Sequence, residues 1–583
     1  MKINITKTKD DIIYYLAKSV RTSKGTIKSV IVEKLGKHSE LIKKYDDPYK
    51  VLKEYAKKRT FEENEKTKEE DEPFFINKRA CMNINNEKEP LRKIGHLYFN
   101  KIINELDLKK FFLEITKDKK ITYESFEITK FLSFLRILDP KSRNSAEKDI
   151  NKYYGISKDI KLHQMYRTLD LLSENIDILQ EFLFKQSKKI IDRDTSVIYY
   201  DVTNYFFEIE QQDNFRKYGV SKENRPNPIV QMGLFMDKNG IPIAFNIAPG
   251  NTNENDMPIE LEKKLIKNFN IRNFTYCADA GINSNTIRDF NSSFGRNFVV
   301  TQSLKKVKKD IQNIVFDDKY WYYYDKNKQK HTINLSDIDE NDENIYYKEF
   351  PINNPLDLGL KIDGKKKVNF NQRLIVTYSN KYKNFLSRKR SEQIIRAENK
   401  IKNNLVDKER LNDPKRYIKS EYLTKNGELA DIKYNELDYD KIIHEKKFDG
   451  YYAVVTSNFD DLSNEILDII HQKWKIEESF RILKTNFKSR PVYLRDENRI
   501  MAHFAICFIA LLIYRILEKK LDYKYTIDEI IDTLNEMYVD CLNDSLFKMA
   551  FRYKQIHIDL NEIFKIEIFK QYVSNTGLNK LFK

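Results

Sequence analysis

The sequence predicts a mixed α/β fold in which one sheet is flanked by helices and interrupted by a second, β-rich segment. Three runs of β-branched and aromatic residues at about 196–248 are followed by alternating helix and strand patterns, which is typical of a mixed sheet. That alternation stops at residue 304 and resumes at residue 448. A polar stretch rich in Lys and Asn, with short aromatic strands, lies between those points.

Changes of pattern along the chain predict six segments. Two strand-like runs around Gly25 predict a β-hairpin, and the charge run at 56–73, which lacks apolar periodicity, predicts a solvated linker. Apolar residues recur at spacings of three and four between about 90 and 190, which predicts helices. The predicted segments are the N-terminal hairpin and linker at 1–75, a helical region at 76–190, the first part of the α/β core at 191–303, a β-rich insertion at 304–447, the second part of the core at 448–520 and a helical tail at 521–583.

Within the α/β core, the individual elements follow in order. The runs SVIYYDVTNYFFE, IVQMGLFMD and GIPIAFNIA predict a three-stranded meander, with a turn at Lys238–Gly240. A helix at Met257–Asn268, the strand NFTYCADA, a helix at Asn285–Phe290 and the strand NFVVTQS come next. After the insertion, GYYAVVTSN predicts a strand and Leu462–Asn486 a helix.

The composition favours a polyanionic partner. The chain has 583 residues, with 104 Lys and Arg against 88 Asp and Glu, so its formal net charge is +16. Basic proteins gain affinity for nucleic acids from the counterions that each phosphate contact releases. An AT-rich coding bias, which enriches Lys, Ile and Asn together, explains part of this charge. Composition alone therefore does not establish nucleic-acid binding.

Cysteine spacing and hydropathy predict a cytoplasmic protein with no membrane partner. Cys81, Cys277, Cys507 and Cys541 form no CxxC pair, which argues against a zinc site or a disulfide framework. The N-terminus lacks the apolar segment of a signal peptide. The most apolar run, Ala502–Tyr514, is shorter than the ~20 residues that span a bilayer, and it predicts a buried helix.

Two aspartates stand near the ends of separate predicted strands. Asp201 interrupts the aromatic run YYDVTNYFF, and Asp279 ends the strand before Gly281. A carboxylate in an apolar strand is costly unless it has a partner, and open α/β sheets place their sites at strand ends. Either aspartate alone is ordinary as a turn cap or a solvent-facing group. The two together indicate a site.

The predicted helix at 462–487 supplies a third carboxylate. Its apolar residues recur at three and four and define one core-facing stripe. Glu477 lies beside that stripe, whereas Glu478 is predicted further round the helix, toward solvent. Cations suited to phosphates and an indole suited to stacking on a base lie nearby: Trp474, Arg481, Lys484 and Lys488. Ordinary charge pairing along a helix explains the same pattern, so the helix alone does not decide.

Three carboxylates with few histidines in view favour hard oxygen coordination, which means Mg²⁺ or Mn²⁺. Two such ions about 3.5–4 Å apart can hold the attacking and leaving oxygens of an in-line phosphoryl displacement. The sequence therefore predicts that Asp201, Asp279 and Glu477 bind two divalent ions and act on a phosphodiester.

Five segments, in this order, resemble the DDE-class insertion-sequence transposases with an RNase H-like catalytic core. They are YYDVTNYFFE, YGVSKENRPNPIVQMGLFMDKNGIPIAFNIAPGNTNE, CADAGINS, FDGYYAVVTSN and KWKIEESFRILK. The resemblance covers about residues 190–520. It points to the insertion-sequence-four-like branch, in which the last acid lies in a Y-(2)-R-(3)-E-(6)-K signature and the core carries a β-rich insertion.

This resemblance implies an RNase H-like mixed sheet and assigns the three carboxylates named above to the catalytic, metal-binding positions. Lys484 matches the signature lysine. Two positions depart from the signature. Ile470 stands in place of Tyr, and Lys473 in place of Arg, which keeps the charge but loses the bidentate guanidinium fork. These two departures are expected to change how the protein holds the DNA end, and they do not remove any of the three predicted metal ligands.

The resemblance further implies a bacterial, nucleoid-associated transposase that cleaves DNA at element ends and joins those ends to target DNA. We expect double-stranded DNA with terminal inverted repeats as a partner, a homodimer on that DNA, and specific binding from residues 1–190. The loop GVSKENRP is implied to lie near the active site. The residues expected to contact DNA are Lys222, Arg225, Lys473, Trp474, Arg481, Lys484 and Lys488.

Two alternative functions remain open at this point. An RNase H-like nuclease without strand transfer would use the same chemistry up to cleavage. A non-catalytic DNA-binding protein derived from a transposase would keep the core as a scaffold. The presence of all three acids disfavours the second alternative.

Overall fold

The computed structural model describes residues 1–7, 11–21, 27–70, 91–282, 284–359, 370–403, 414–422, 433–543 and 546–582. The turn around Gly25, residues 71–75 of the predicted linker, and Cys81 lie outside these ranges. By internal contacts, one unit comprises Met1–Pro90, Leu542–Phe547 and Tyr572–Gly577, and the other comprises the remaining residues.

The N-terminal segment contains an antiparallel sheet followed by two helices. Its elements are β1 (Lys2–Lys7), β2 (Ile12–Arg21), β3 (Ile27–Lys37), α1 (His38–Leu41) and α2 (Pro48–Glu70). Strands β2 and β3 are the predicted hairpin, and β1 adds a third strand beside β2. The predicted linker is wrong for residues 56–70, which belong to α2. Lys, Glu and Arg have high helix propensity, so this run forms a helix without an apolar stripe.

Residues 91–190 of the predicted helical region form helices, after one short strand. Its elements are β4 (Arg92–Lys93), α3 (Leu97–Glu105), α4 (Leu108–Thr116), α5 (Ser125–Leu138), α6 (Arg143–Lys148), α7 (Leu162–Ser173) and α8 (Ile176–Ile190).

The first part of the core has the strand order of an RNase H-like sheet. Its elements are β5 (Val197–Phe206), β6 (Ile229–Asp237), β7 (Pro242–Pro249), α9 (Met257–Asn268), β8 (Thr275–Ala278), α10 (Asn285–Ser293) and β9 (Asn297–Thr301). The order is β7-β6-β5-β8-β9, with β6 antiparallel to both neighbours and β5, β8 and β9 parallel. This confirms the predicted fold class.

The insertion contributes four strands to the same sheet. Its elements are α11 (Lys309–Phe316), β10 (Trp321–Tyr324), β11 (Lys330–Ile333), β12 (Tyr346–Ile352), β13 (Gln372–Tyr378), α12 (Asn380–Lys402), β14 (Ile418–Tyr422), β15 (Lys433–Leu437) and α13 (Tyr439–Lys446). Strand β16 (Tyr451–Thr456) lies between β9 and β13 and is antiparallel to both. Strands β13, β12, β10 and β11 therefore continue the core sheet, which has ten strands among the described residues, and β14 and β15 of the insertion form a separate pair.

The predicted helix at 462–487 is two helices followed by a π-helical turn. These are α14 (Ser463–His471), α15 (Trp474–Arg481) and the turn Ile482–Asn486. The next helix, α16 (Glu497–Lys520), packs on α3, α5, α7 and β7. Among the described helices, it is the one long and apolar enough to cross a membrane, but 94% of its apolar window is buried inside the protein. The prediction of a buried core helix is confirmed, and the helix is longer than the apolar run.

The sequence predicted a helical tail, but the described residues of the tail form strands as well as helices. Its elements are α17 (Ile527–Asn535), β17 (Tyr538–Asn543), β18 (Leu546–Met549), α18 (Gln555–Phe564), β19 (Tyr572–Ser574) and α19 (Asn575–Phe582). Strand β17 pairs with β4 through Tyr538 and Val539. Because its partner lies near the other end of the chain, no local pattern in the tail indicates this strand.

Candidate active site

Asp201 lies on β5, and Asp279 immediately follows the end of the neighbouring parallel strand β8 at the corresponding level. The register pairs Tyr199 of β5 with Cys277 of β8. Asp201 and Asp279 each lie two residues further along, and side chains two apart on a strand share one face. The parallel arrangement therefore brings both carboxylates to one edge of the sheet.

The ammonium of Lys473 joins Asp279 to Glu477. Lys473 Nζ lies 2.5 Å from Asp279 Oδ1 and 3.2 Å from Glu477 Oε1. Lys473 immediately precedes α15, and Glu477 is in the first turn of that helix. The side chain of Lys473 is 8% exposed, whereas those of Asp279 and Glu477 are 46% and 60% exposed. The two carboxylates thus share one shielded cation and keep a solvent-facing side.

Asp201 belongs to the same electrostatic cluster. Burial raises the pKa of Asp201 to about 6 and the charge of Asp279 adds to the rise, while Lys222 and Lys473 oppose it. Burial lowers the pKa of Lys473, but Asp279, Asp201 and Glu477 more than offset this and raise it above its ordinary value. Lys473 therefore stays charged and is stabilised by all three predicted carboxylates.

The donor chemistry of this cluster fits a hard divalent cation, since every donor is a carboxylate oxygen. The ammonium of Lys473 marks where the carboxylates require positive charge. Within the described ranges, no three His, Cys, Asp or Glu side chains form a group that could hold a metal ion. In this structure Asp201, Asp279 and Glu477 therefore do not form such a group, and Lys473 lies between Asp279 and Glu477 instead.

Glu478 has a different role from Glu477. The prediction that Glu478 points further toward solvent is wrong, because its side chain is 28% exposed against 60% for Glu477. Arg515 of α16 donates from Nη2 to Glu478 Oε2 at 3.0 Å, and Arg481 Nη2 lies 3.6 Å from Glu478 Oε1. Glu478 thus anchors α15 on the core helix behind it, which leaves Glu477 on the side of the site.

The predicted DNA-contacting residues of this segment include three exposed side chains. Trp474 is 54% exposed, the Arg481 side chain is 52% exposed, and Lys488 is also exposed. Lys488 has a positive φ of 44° and stands two residues after the π-helical turn, which ends at Asn486. Such turns are frequent at functional sites. These three side chains are available to an external partner.

The loop between β5 and β6 carries the other predicted contacts. Lys222 donates to the carbonyl of Val202 beside Asp201, and its Nζ lies 3.7 Å from Glu254 Oε1. The guanidinium of Arg225 lies over the ring of Phe206, 4.1 Å from its centroid. Both loop cations therefore lie against β5, the strand that carries Asp201.

Lys484 is partly buried and is held by a residue of that loop. Its Nζ lies 3.4 Å from Glu223 Oε1, which also pairs with Arg490. Burial lowers the pKa of Lys484 to about 8 and the charge of Lys222 contributes, whereas Asp201 opposes the shift. Neither Glu223 nor Arg490 was predicted from the sequence as a site residue. The available signals were an acid inside the cationic loop GVSKENRP and an Arg two residues after Lys488.

Similarity to known proteins indicates the family to which this chain belongs. Among solved structures, the chain is similar to a piggyBac transposase synaptic complex with hairpin DNA, at 12% identity over 76% of this chain and 78% of that one, with a TM-score of 0.33. It is also similar to a Mos1 transposase paired-end complex with the left transposon end, at 13% identity over 30% of this chain and 58% of that one, with a TM-score of 0.14. No curated protein matches significantly. A family profile described as the transposase DDE domain matches residues 192–513, more than half of the chain, and the protein therefore belongs to the DDE transposase family.

Proposed function

We propose that this transposase cleaves DNA at the ends of a mobile element and joins the cleaved ends to target DNA. Its catalytic carboxylates are Asp201, Asp279 and Glu477. The observation that carries the proposal is that Lys473 contacts two of these carboxylates and is stabilised by the charge of the third. By contrast, Asp237, which is paired with Arg193, is fully buried. Asp279 and Glu477 instead remain open to substrate.

The three carboxylates would hold Mg²⁺ or Mn²⁺, in keeping with the divalent ions that DDE transposases use. When two ions are bound, they activate the nucleophile and stabilise the leaving oxygen. Asp201 is a residue of β5 and Asp279 directly follows β8, so the central sheet positions both ligands. Glu477 stands on a separate helix and provides the ligand best able to adjust. Lys222 and Lys484 supply positive charge beside the scissile phosphate.

The covalent chemistry consists of two displacements at phosphorus. In cleavage, the oxygen of water attacks the phosphorus and the 3′ oxygen of the element end leaves with a proton, which produces a 3′-hydroxyl and a 5′-phosphate. In strand transfer, that 3′-hydroxyl attacks a target phosphodiester, loses its proton, and displaces a target 3′ oxygen. One set of carboxylates serves both steps, because each is an in-line displacement at a phosphate.

The proposed DNA surface combines the exposed side chains of Trp474, Arg481 and Lys488 with the loop cations Lys222 and Arg225. Specific recognition of terminal inverted repeats is assigned to the region at 1–190, which lies outside the catalytic core. Joining two ends to one target requires two active sites, so the protein acts as a homodimer on DNA. The insertion at 304–447 and the tail after residue 521 are the proposed contact regions.

The test uses the full-length protein, donor DNA carrying the inverted repeats that flank the gene, a target plasmid and Mn²⁺. Wild type should release the element ends and join them to the plasmid. Glu477→Gln should bind the same donor DNA but yield neither product, because it removes a metal ligand and no cation. Glu478→Gln is the matched control and should retain both reactions, since an amide can still accept from Arg515.

The possible outcomes separate the proposed function from its alternatives. Cleaved ends without joined product would indicate a nuclease that lacks strand transfer. Specific binding by wild type without cleavage would indicate a non-catalytic DNA-binding protein. Cleavage by Glu477→Gln, or its loss in Glu478→Gln alone, would overturn the assignment of the third carboxylate.

A further inference from the structure

One carboxylate, Glu223, neutralises two cations beside the catalytic cluster. Its Oε1 pairs with both Lys484 Nζ and Arg490 Nη1. The side chains of Glu223, Lys484 and Arg490 are 25%, 13% and 24% exposed. Since all three are partly buried, solvent screens this cluster less than it screens an ion pair on the open surface.

The cations around this cluster outnumber the carboxylates that pair with them, which are Glu223 and, beside Lys222, Glu254. Lys222 is close enough to lower the pKa of Lys484. The guanidinium of Arg490 lies 5.7 Å from the centroid of the Phe206 ring, and that of Arg225 lies 4.1 Å from the same centroid. Two guanidiniums and two ammoniums thus gather near the end of β5. Such a concentration of cations attracts anions, phosphate oxygens above all.

Glu223 reaches this position from a loop that is fixed at its base. Gly219 approaches the backbone so closely that an added Cβ would lie 1.9 Å from the carbonyl oxygen of Gly250. Asn204 donates from Nδ2 to the carbonyl of Val220 at 3.0 Å. The backbone amide of Glu223 donates to Ser221 Oγ at 3.3 Å. The loop base is therefore held in place, and Glu223 can leave its cations by rotating its side chain.

We propose that Lys484 and Arg490 form a binding subsite for a DNA phosphate, and that Glu223 occupies this subsite in the free protein. A carboxylate and a phosphodiester both present paired anionic oxygens to a guanidinium, so one can replace the other. Glu223 then weakens binding of any DNA that cannot displace it. This inference rests on the proposed function, because it requires DNA to lie beside the catalytic carboxylates.

The test measures binding of the full-length protein to a short fluorescein-labelled duplex of arbitrary sequence, by anisotropy, in EDTA so that no cleavage occurs. Glu223→Gln should bind the duplex about ten-fold more tightly at low salt, equivalent to about 1.4 kcal/mol. The log–log salt dependence should steepen by about one unit, as expected for one added phosphate contact. Glu208→Gln makes the same charge change at an exposed position of the same connection and should alter affinity far less.

Double variants isolate the subsite from the change in net charge. In Glu223→Gln/Arg490→Gln the gain in affinity should disappear, because the guanidinium that binds the phosphate is gone. In Glu223→Gln/Lys484→Gln the gain should disappear as well, because the ammonium of the subsite is gone. A gain no larger than that of Glu208→Gln, or one that persists in both double variants, would overturn the subsite. Failure of the proposed function has a separate readout, the absence of cleavage by wild type in the donor assay.

Discussion

Replacing Lys473 by Met should make the free protein bind Mn²⁺ more tightly. The ammonium of Lys473 lies 2.5 Å from Asp279 Oδ1 and 3.2 Å from Glu477 Oε1. An ion that uses those oxygens must first displace the ammonium. Methionine keeps an unbranched, apolar stem in the largely buried position and removes the competing charge. The variant therefore tests whether Lys473 occupies the place of a metal ion in the free protein.

The size of the effect follows from the exposure of the two carboxylates. Asp279 and Glu477 are 46% and 60% exposed, so solvent screens both ion pairs. Pairs of this kind contribute about 0.2–1 kcal/mol each. Losing two such pairs should tighten Mn²⁺ binding roughly 2- to 30-fold, at about 1.4 kcal/mol for each factor of ten.

The assay is a calorimetric titration of Mn²⁺ into the DNA-free, full-length protein at fixed ionic strength and pH. Lys475→Met is the matched control, because Lys475 is two residues away and its Nζ donates to the carbonyl of Lys238, remote from the carboxylates. We expect the control to bind Mn²⁺ like wild type. Equal or weaker Mn²⁺ binding by Lys473→Met would show that Lys473 orients the ligands and does not compete with the ion.

Three further perturbations test other parts of the argument. Burial raises the pKa of Glu262 from 4.5 to about 8, so wild type should lose about 1.4 kcal/mol of stability per pH unit between those values relative to Glu262→Gln, measured by chemical denaturation; a pH-independent difference would contradict this. Arg515→Ala should lower the free energy of unfolding by about 3–5 kcal/mol, because it leaves the buried carboxylate of Glu518 and the half-buried one of Glu478 without their shared partner; an unchanged thermal midpoint would refute that role. Arg481→Ala and Lys488→Ala should each flatten the salt dependence of binding to element ends by about one unit of slope, and an unchanged slope would place them away from DNA.

Local patterns predicted the core strands that the structure contains, and the same patterns singled out the first two of the proposed catalytic carboxylates. Strands β5 to β9 consist of β-branched and aromatic runs bounded by turn residues, and both features can be recognised within about ten positions. Asp201 and Asp279 follow from the same pattern, since each interrupts or ends a run that otherwise has no reason to contain a charge. The apolar stripe beside Glu477 likewise depends only on helical periodicity.

Long-range packing decided the features that local patterns missed. Strand β13 joins the core sheet because it pairs with β16, and β17 forms because β4 lies beside it, although each pair is far apart in sequence. Residue types alone do not specify such pairings.

The contrast between local pattern and long-range packing also explains where the candidate site differs from the sequence prediction. Helical periodicity placed Glu478 further toward solvent than Glu477, whereas in the structure Arg515 covers Glu478 and Glu477 is the more exposed of the two. The loop sequence could not show that Glu223 would reach Lys484 and Arg490. The sequence alone determines which residues carry charge. Which charges meet, and which stay open to DNA, depends on how distant elements pack, because ion pairs form only where the fold brings side chains within a few ångströms of each other.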